Sequence, residues 1–444
     1  MVYFLFLDFI RMTTLQSWGK YPLIDSSVYT FPDPSTLRQI LSDHDNIIAH
    51  GNGRSYGDSA LASQLVHVRP YNYYLDFDRK TGILHCQAGV LLSEIIDTFL
   101  PQGWFLAVTP GTRYITVGGA LASDVHGKNH HIHGSFSDTV LDFTLMLADG
   151  SITTCSHSKN STLFRASCGG MGLTGVILNA RIKLVPVRSC MISQTTIKTK
   201  NLKETFDAFE QYRDSTYSVA WIDCLAKKDT LGRCILMVGE HCEDDNLNFR
   251  YKQKFTIPFE FPSFSLNKLT VKAFNTLYYN KVRKRTSEQK VSIGSFFYPL
   301  DAIDHWNRIY GKGGFTQYQF ILPLARSYDG LQEILSHIAR SGKGSFLAVL
   351  KLFGKGNSNY LSFPMTGYSL ALDFKIEPGL FELLDELDAI VLKYEGRLYL
   401  AKDVRVTRDV FEVGYPEIDT FRTLRTEYSL AEKFNSLQSI RVGI

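Results

Sequence analysis

His50-Gly51-Asn52-Gly53-Arg54-Ser55-Tyr56-Gly57-Asp58 is followed further along by Thr116-Val117-Gly118-Gly119-Ala120-Leu121-Ala122-Ser123-Asp124-Val125-His126-Gly127. Glycine admits positive φ and lets a backbone come close to a ligand, and successive N–H groups in such turns form a nest for an anion. The two runs together point to a flavin site, with one pyrophosphate gripped from both sides. A third cluster, Cys168-Gly169-Gly170-Met171-Gly172-Leu173-Thr174-Gly175, leads into a strand over Val176 to Val187, where Pro186 marks a boundary. A single cluster is as readily a tight turn; three in one region weaken that reading.

The spacing is not that of a nicotinamide fold. Gly51, Gly53 and Gly57 give G-x-G-x-x-x-G rather than G-x-G-x-x-G, and Ser59 to Val66 is short and turns quickly into a strand. Asp76 stands near the distance expected of a ribose-binding acid, but Asp78 and Arg79 beside it read as a turn.

Composition bounds the rest. A chain of 444 residues is too long for one ordinary core. Its 44% hydrophobic and 21% charged residues are globular values, and the 30 Phe and 23 Tyr suit strands and ring-binding walls. A formal net charge of +4 makes no general case for nucleic acid. The cysteines, Cys86, Cys155, Cys168, Cys190, Cys224, Cys234 and Cys242, are odd in number and include no C-x-x-C pair, which favours reduced thiols and a cytoplasmic setting. The start, MVYFLFLDFIRM, is interrupted by Asp8, shorter than a membrane span and without a basic leader, so it reads as a buried or peripheral segment. Met12 is an alternative initiator, which would make the first eleven residues dispensable.

Periodicity predicts a helix over 36–44, a buried strand over 46–50, an alternating stretch over 82–90, a helix over 92–100 and a strand over 140–147. From about 190 the text becomes aromatic and alternating. Expected strands at 218–223, 317–322, 346–353 and 368–374, with helices at 329–340 and 379–394, suit an antiparallel sheet covered by helices.

The loops closely resemble those of the vanillyl-alcohol-oxidase (PCMH-type) family of FAD flavoproteins. The likeness runs through GRSYGD (53–58), PGTRYITVGGA (110–120), DVHGKNHH (124–131), GLTG (172–175), FTQYQF (315–320), KLFG (351–354) and YLAKD (399–403). It implies an α+β fold with a two-part FAD-binding domain, residues 12–189 and a C-terminal segment 397–444 that returns to it, and a substrate-binding domain over 190–396. It also implies that Ala49, His50, Gly51, Asn52, Gly53, Arg54, Ser55, Tyr56, Gly57, Asp58, Ser59, Gly111, Thr116, Val117, Gly118, Gly119, Ser123, Asp124, Val125, His126, Ile177 and Tyr399 contact FAD. Relatives that attach FAD covalently often carry a histidine where this chain has Arg54, so noncovalent FAD is expected.

Within that family the text is most similar to members that oxidise the 2′-hydroxyl of a polyprenylphosphoryl ribose on the way to its arabinose epimer. The resemblance therefore implies a lipid-linked sugar substrate and an NAD(P)H-dependent keto-sugar reductase as partner. It places Lys402 at the flavin as the base. Desolvation and a neighbouring cation such as Lys351 would lower its pKa; the bland alternative is a solvated lysine paired with Asp403 at a strand end. His126 would bond the isoalloxazine edge or, alternatively, its own loop. His126, His130, His131 and His133 cluster, but no nearby acid or cysteine completes a metal set, and no metal is expected. Gln317 and Gln319 share one strand face with Tyr318 on the other, and could bind sugar hydroxyls or face solvent. Lys128 and Tyr56 are further candidates for the pocket rim, beside Lys351, Lys402 and Ser369. In mycobacterial-type members a cysteine stands where this chain has Ala371, an asparagine where it has Ser369 and a tyrosine where it has Phe297.

Lys252 to Arg285 combines Phe255, Phe259, Phe261, Phe264, Phe274, Tyr278 and Tyr279 with Lys281, Arg283, Lys284 and Arg285. It reads either as a surface for an acyl chain and an anionic membrane or as a solvated charge run beside a core. A protein peripheral at the inner membrane fits the first, with the periplasmic side open as an alternative. Two rival functions stand beside the polyprenyl reading: a soluble alditol or aldonolactone oxidase, and a non-catalytic flavin-binding subunit.

Overall fold

The computed structural model describes residues 10–251 and 255–444. Its first sheet holds β1 (Ile10–Gln16), β2 (Leu23–Tyr29), β3 (Ile48–His50) and β4 (Gln64–His67) in the order β1-β2-β4-β3. β1 is antiparallel to β2, while β2, β4 and β3 run parallel. The crossover between β2 and β3 is the helix Pro34–Asp43. Asp33 caps it by accepting the Ser35 and Thr36 N–H groups, Pro34 opens it, and Leu37, Ile40 and Leu41 form its buried stripe. β3 stops at His50, so the first glycine run leaves the sheet at the end of a parallel strand. Of the apolar start MVYFLFLDFIRM, residues 1–9 lie outside the described residues, and so does what was expected of them. Ile10 and Arg11, counted above as dispensable, pair with Tyr29 and Val28.

The second sheet holds β5 (Tyr74–Asp78), β6 (Ile83–Gln87), β7 (Trp104–Leu106), β8 (Val140–Met146), β9 (Ile152–Ser156) and β10 (Val176–Pro186). The order is β5-β6-β10-β8-β9, with β7 on the far half of β10. Every pairing is antiparallel. β10 lies at the centre, and its first three residues are all buried, as a strand covered on both faces requires. The predicted strand over 176–187 and helix over 92–100 appear as β10 and the helix Leu92–Phe99.

Beyond residue 190 come β11 (Met191–Thr199), β12 (Tyr217–Ile222), β13 (Cys234–His241), β14 (Phe255–Thr256), β15 (Thr286–Ser292), β16 (Ile303–Asp304), β17 (Phe315–Pro323), β18 (Ala348–Phe353), β19 (Gly367–Lys375) and β20 (Arg397–Leu398). β14 and β16 make a small parallel pair; the others form one sheet, β15-β11-β13-β12-β18-β19-β17-β20. The helix Leu324–Ser341 buries Leu331, Ile334, Leu335 and Ile338, a stripe of helical period, and with Leu380–Lys393 it packs on this sheet. Alternation along β17 divides the two faces. The Tyr318 hydroxyl donates to Asp388 on the helix Leu380–Lys393, while Gln319 points the other way, to His126.

The sheet ends at Leu398, two residues past the expected boundary at 396. The chain then returns to the first part, where Lys433 O accepts from Ile47 N and Leu61 O from Leu437 N. All seven cysteines are buried and unpaired. Among the described residues no helix is long and apolar enough to cross a membrane.

Candidate active site

The two glycine runs touch. A Cβ on Gly51 would stand 2.6 Å from Thr116 Oγ1, and Asn52 Nδ2 donates to Tyr114 O at 2.7 Å. In the first run Gly53 has φ +60°, and the N–H groups of Asn52 to Ser55 meet no acceptor among the described residues, as a nest needs. The second run differs from the expectation of a second nest. Thr116 caps the helix Val117–Ala122 by accepting from Gly119 N, and the N–H groups of Val117 and Gly118 donate to Val90 O and Ala88 O. Its glycines serve close packing: a Cβ on Gly118 would lie 3.0 Å from Ala88 Cβ. The two loops therefore face one another, but the first supplies most of the free donors.

The first run is also stitched to the far end of the chain. Ser55 Oγ and Tyr56 N both donate to Ala401 O, at 2.7 and 3.2 Å, and a Cβ on Gly57 would fall 1.9 Å from Asp403 O. Lys402 sits between, in a single 3-10 turn, Leu400–Lys402, rather than on the strand that its sequence suggests. Its Nζ lies 3.8 Å from the centroid of the Tyr56 ring. Among the described residues Lys402 makes no ion pair with Asp403, whose carboxylate binds Arg441 at 3.0 Å.

Around Lys402 the antiparallel sheet supplies the remaining groups. Lys351 on β18 stands opposite Ser369 on β19, and Gln317 on β17 opposite Asp373. Neither the Lys402 nor the Lys351 ammonium hydrogen-bonds to a described residue. Burial pushes Lys351 down to about 8. Burial and then Lys351 push Lys128 down to about 7. Lys402 is pushed down by burial and by Lys351, against the pull of Asp373. Burial raises Asp373, opposed by its bond from Gln317 Nε2 at 2.5 Å and by Lys402. Asp373 Oδ2 has no hydrogen-bond partner among the described residues. A buried lysine and carboxyl with displaced pKa values and spare valences are what a proton-transfer site requires.

His126 completes the face. Gln319 Nε2 lies 3.0 Å from His126 Nε2 and 3.2 Å from Ser369 Oγ. Burial first, then Lys351, holds the ring neutral well below its ordinary pKa. Since the Gln319 amide donates, His126 Nε2 accepts and Nδ1 carries the proton. That Nδ1 is buried without a partner among the described residues, while Phe353, Phe363 and Tyr399 wall the ring at 4.7, 5.5 and 5.1 Å. An unused buried donor, a free nest and the open space beside Gly111 fit a bound FAD.

Other candidates have structural partners. Asp124, at φ +39°, accepts from Ser135 Oγ, Ser137 N, Asn357 Nδ2, Asn359 Nδ2 and Ser362 Oγ. Its carboxylate is spent tying the 357–362 segment to the glycine run, leaving only its backbone for a cofactor. Asp58 turns to Arg441 at 2.7 Å. His50 Nδ1 bonds Ala60 O, and Ser59 Oγ lies 3.3 Å from Ser55 Oγ. The Arg54 guanidinium lies over Trp18 at 4.2 Å. Val117 and Val125 are core, Ala49 is the middle residue of β3, and Ile177 marks a register slip in β10. The Tyr399 hydroxyl donates to Ser123 O at 2.8 Å. Lys128 Nζ donates to Phe296 O. Among the described residues no three metal-ligating side chains converge; His130 Nδ1 accepts from Gly354 N and His131 Nε2 bonds Ser215 O. Asp373 and Arg441 were missed. Period-two reading from Ser369 through Ala371 would have put Asp373 on the active face, whereas Arg441 left no local signal.

Residues 35–156 match the FAD binding domain family. The chain is 38% identical over 431 residues to the decaprenylphosphoryl-β-D-ribose oxidase of Mycolicibacterium smegmatis, covering 93% of each chain. It is 30% identical over 378 residues to an uncharacterised protein of Streptomyces coelicolor, covering 80% of this chain and 100% of the relative. Likeness to the L-gulonolactone oxidase of Mus musculus is 27% over 203 residues, covering 44% of this chain and 45% of the relative.

Proposed function

The chain belongs to the family of PCMH-type FAD-dependent oxidoreductases that includes decaprenylphosphoryl-β-D-ribose oxidase, and on that premise we propose that it oxidises the 2′-hydroxyl of a polyprenylphosphoryl-β-D-ribose to the 2′-keto sugar. This is the first half of epimerisation to the arabinose form; a separate NAD(P)H-dependent reductase completes it. The part from 12 to 189 and the segment from 399 to 444 hold FAD noncovalently, and the part from 190 to 398, which ends with β20, binds the sugar.

Oxidising a secondary alcohol removes a proton from oxygen and a hydride from carbon as the C=O bond forms. FAD, when bound, supplies the acceptor for the hydride and its electron pair. Neutral Lys402 takes the hydroxyl proton at Nζ. Asp373, held by Gln317, and the Tyr56 ring stabilise the ammonium that results. Gln319 fixes the His126 tautomer so that Nδ1–H is presented to the cofactor edge. Lys351, Lys128 and Ser369 line the side where hydroxyls and phosphate of the sugar lie.

The observation that carries this reading is a buried lysine with no hydrogen-bond partner among the described residues, depressed by burial and by a second lysine, beside a free nest. The partial likeness to L-gulonolactone oxidase keeps an aldonolactone or alditol oxidase as the second reading. Anaerobic bleaching of the flavin separates them: lipid-linked ribose bleaches it under the first, and xylitol or a sugar lactone alone under the second. A non-catalytic subunit bleaches with none.

A further inference from the structure

The helix Lys268–Lys281 is built on two faces. Val271, Asn275 and Tyr279 form the buried one, Asn275 Nδ2 donating to Asp223 Oδ1 at 2.9 Å and the Tyr279 hydroxyl to Thr199 O at 2.8 Å. Leu269, Ala273 and Leu277 recur at the same spacing on the opposite face and are exposed, Leu269 by 77% and Leu277 by 73%. Phe264, in the turn just before the helix, is 77% exposed. Water gains nothing from such a stripe, so it asks for an apolar partner.

The charge around it says which one. From Phe261 to Ser287 the sequence has six basic residues, Lys268, Lys272, Lys281, Arg283, Lys284 and Arg285, and no acid. A second copy docked face to face would set these cations against each other. An outward apolar stripe flanked by lysines fits the boundary between anionic headgroups and acyl chains, with the long lysine stems reaching back to the phosphates.

The same helix leads inward to the base. Phe274 packs on Phe346 at 5.4 Å, Phe346 on Tyr310 at 5.6 Å, Tyr310 on Phe315 at 4.2 Å and Phe315 on Tyr56 at 5.4 Å. Beside this aromatic run lies a cavity of about 350 Å³, walled by Phe261, Pro262, Tyr310 and Ile376 on its apolar side and by Glu260, Lys312 and Lys375 on its charged side.

We propose that the helix Lys268–Lys281 docks the protein on an anionic bilayer, with Phe264, Leu269 and Leu277 in the headgroup–acyl boundary, so that a lipid-linked sugar reaches Lys402 while its tail stays along the aromatic run and in the bilayer. This deepens the lipid-linked reading above and rests on it. Docking itself needs no substrate, so the two are tested apart.

The full-length FAD-loaded protein is sedimented with vesicles of mixed phosphatidylglycerol and phosphatidylcholine, and with phosphatidylcholine alone. Binding is expected to the anionic vesicles at low salt and to be released by high salt, because surface attraction is screened. The double variant Leu269→Glu/Leu277→Glu should bind at least about tenfold more weakly. It should keep its flavin, its melting temperature and its turnover of a short-chain, water-soluble phosphoryl ribose. No binding by the parent protein, or equal binding by the variant, overturns the proposal. A parent dimer that ignores vesicles and becomes monomeric in the variant overturns it in favour of a second copy. If anionic vesicles bind as described but lipid-linked ribose fails to bleach the flavin, docking stands and the substrate reading falls.

Discussion

Lys402 Nζ lies 3.8 Å from the centre of the Tyr56 ring, which joins the base proposed for the reaction to the loop proposed for the cofactor. Tyr56 belongs to the first glycine run and Lys402 to a turn nearly 350 residues later, and their backbones meet through Tyr56 N and Ala401 O. Cofactor and base are thus positioned by one contact, so a change in either loop is felt by both.

Gly57 makes that contact close enough to exclude a side chain. A Cβ there would stand 1.9 Å from Asp403 O and 2.9 Å from Asp403 C. Gly57→Ala should destabilise the protein by about 3 kcal/mol and lower its flavin content. Thermal unfolding and the absorbance ratio of flavin to protein measure both.

Asp124 is expected to act on stability rather than on the sugar. Asp124→Ala strands the Ser135, Asn357 and Ser362 donors, at a cost on the order of 3 kcal/mol. Asp124→Asn keeps one acceptor oxygen and tolerates the positive φ, so it should lose less. Denaturant midpoints rank the two, and KM for the sugar should stay near that of the parent in both.

Only neutral Lys402 can accept a proton. Burial and Lys351 lower its pKa, so flavin reduction should speed up as pH rises through that lowered value and fail below it. Lys351→Met removes one of the depressing charges and should move this limb to higher pH. Stability changes in the same direction. Lys351 loses its proton near 8 in the folded protein, whereas an ordinary lysine keeps it to 10.5. Between those values the unfolded chain binds more protons, so stability rises with pH, and Lys351→Met should flatten that slope. Stopped-flow reduction and melting curves across the neutral and alkaline range check each part.

Arg54 occupies the place from which a histidine would attach the cofactor. Its guanidinium lies over Trp18 and cannot act as the nucleophile. Acid precipitation should leave the yellow colour in the supernatant; colour in the pellet would show a covalent bond.

The first loop was legible because glycine spacing is a local property of the chain. The second was misread in its chemistry, since the carbonyls that use its N–H groups, Ala88 O and Val90 O, lie on a distant segment. The role of Asp124 was hidden for the same reason: Asn357, Asn359 and Ser362, three of its five partners, lie more than two hundred residues on. The pairing of Gln317 and Gln319 on one face was legible from strand alternation, but Asp373 opposite Gln317 depends on register between two strands. Lys402 read as a strand residue because Tyr399-Leu400-Ala401 is apolar text, and a three-residue 3-10 turn has no period to detect.

The central claim is that Lys402 removes the hydroxyl proton. Lys402→Ala, loaded with FAD and mixed anaerobically with polyprenylphosphoryl ribose, should retain the flavin spectrum but be reduced about 10²- to 10⁴-fold more slowly than the parent, the range that one general base contributes. Reduction at the parental rate would contradict it.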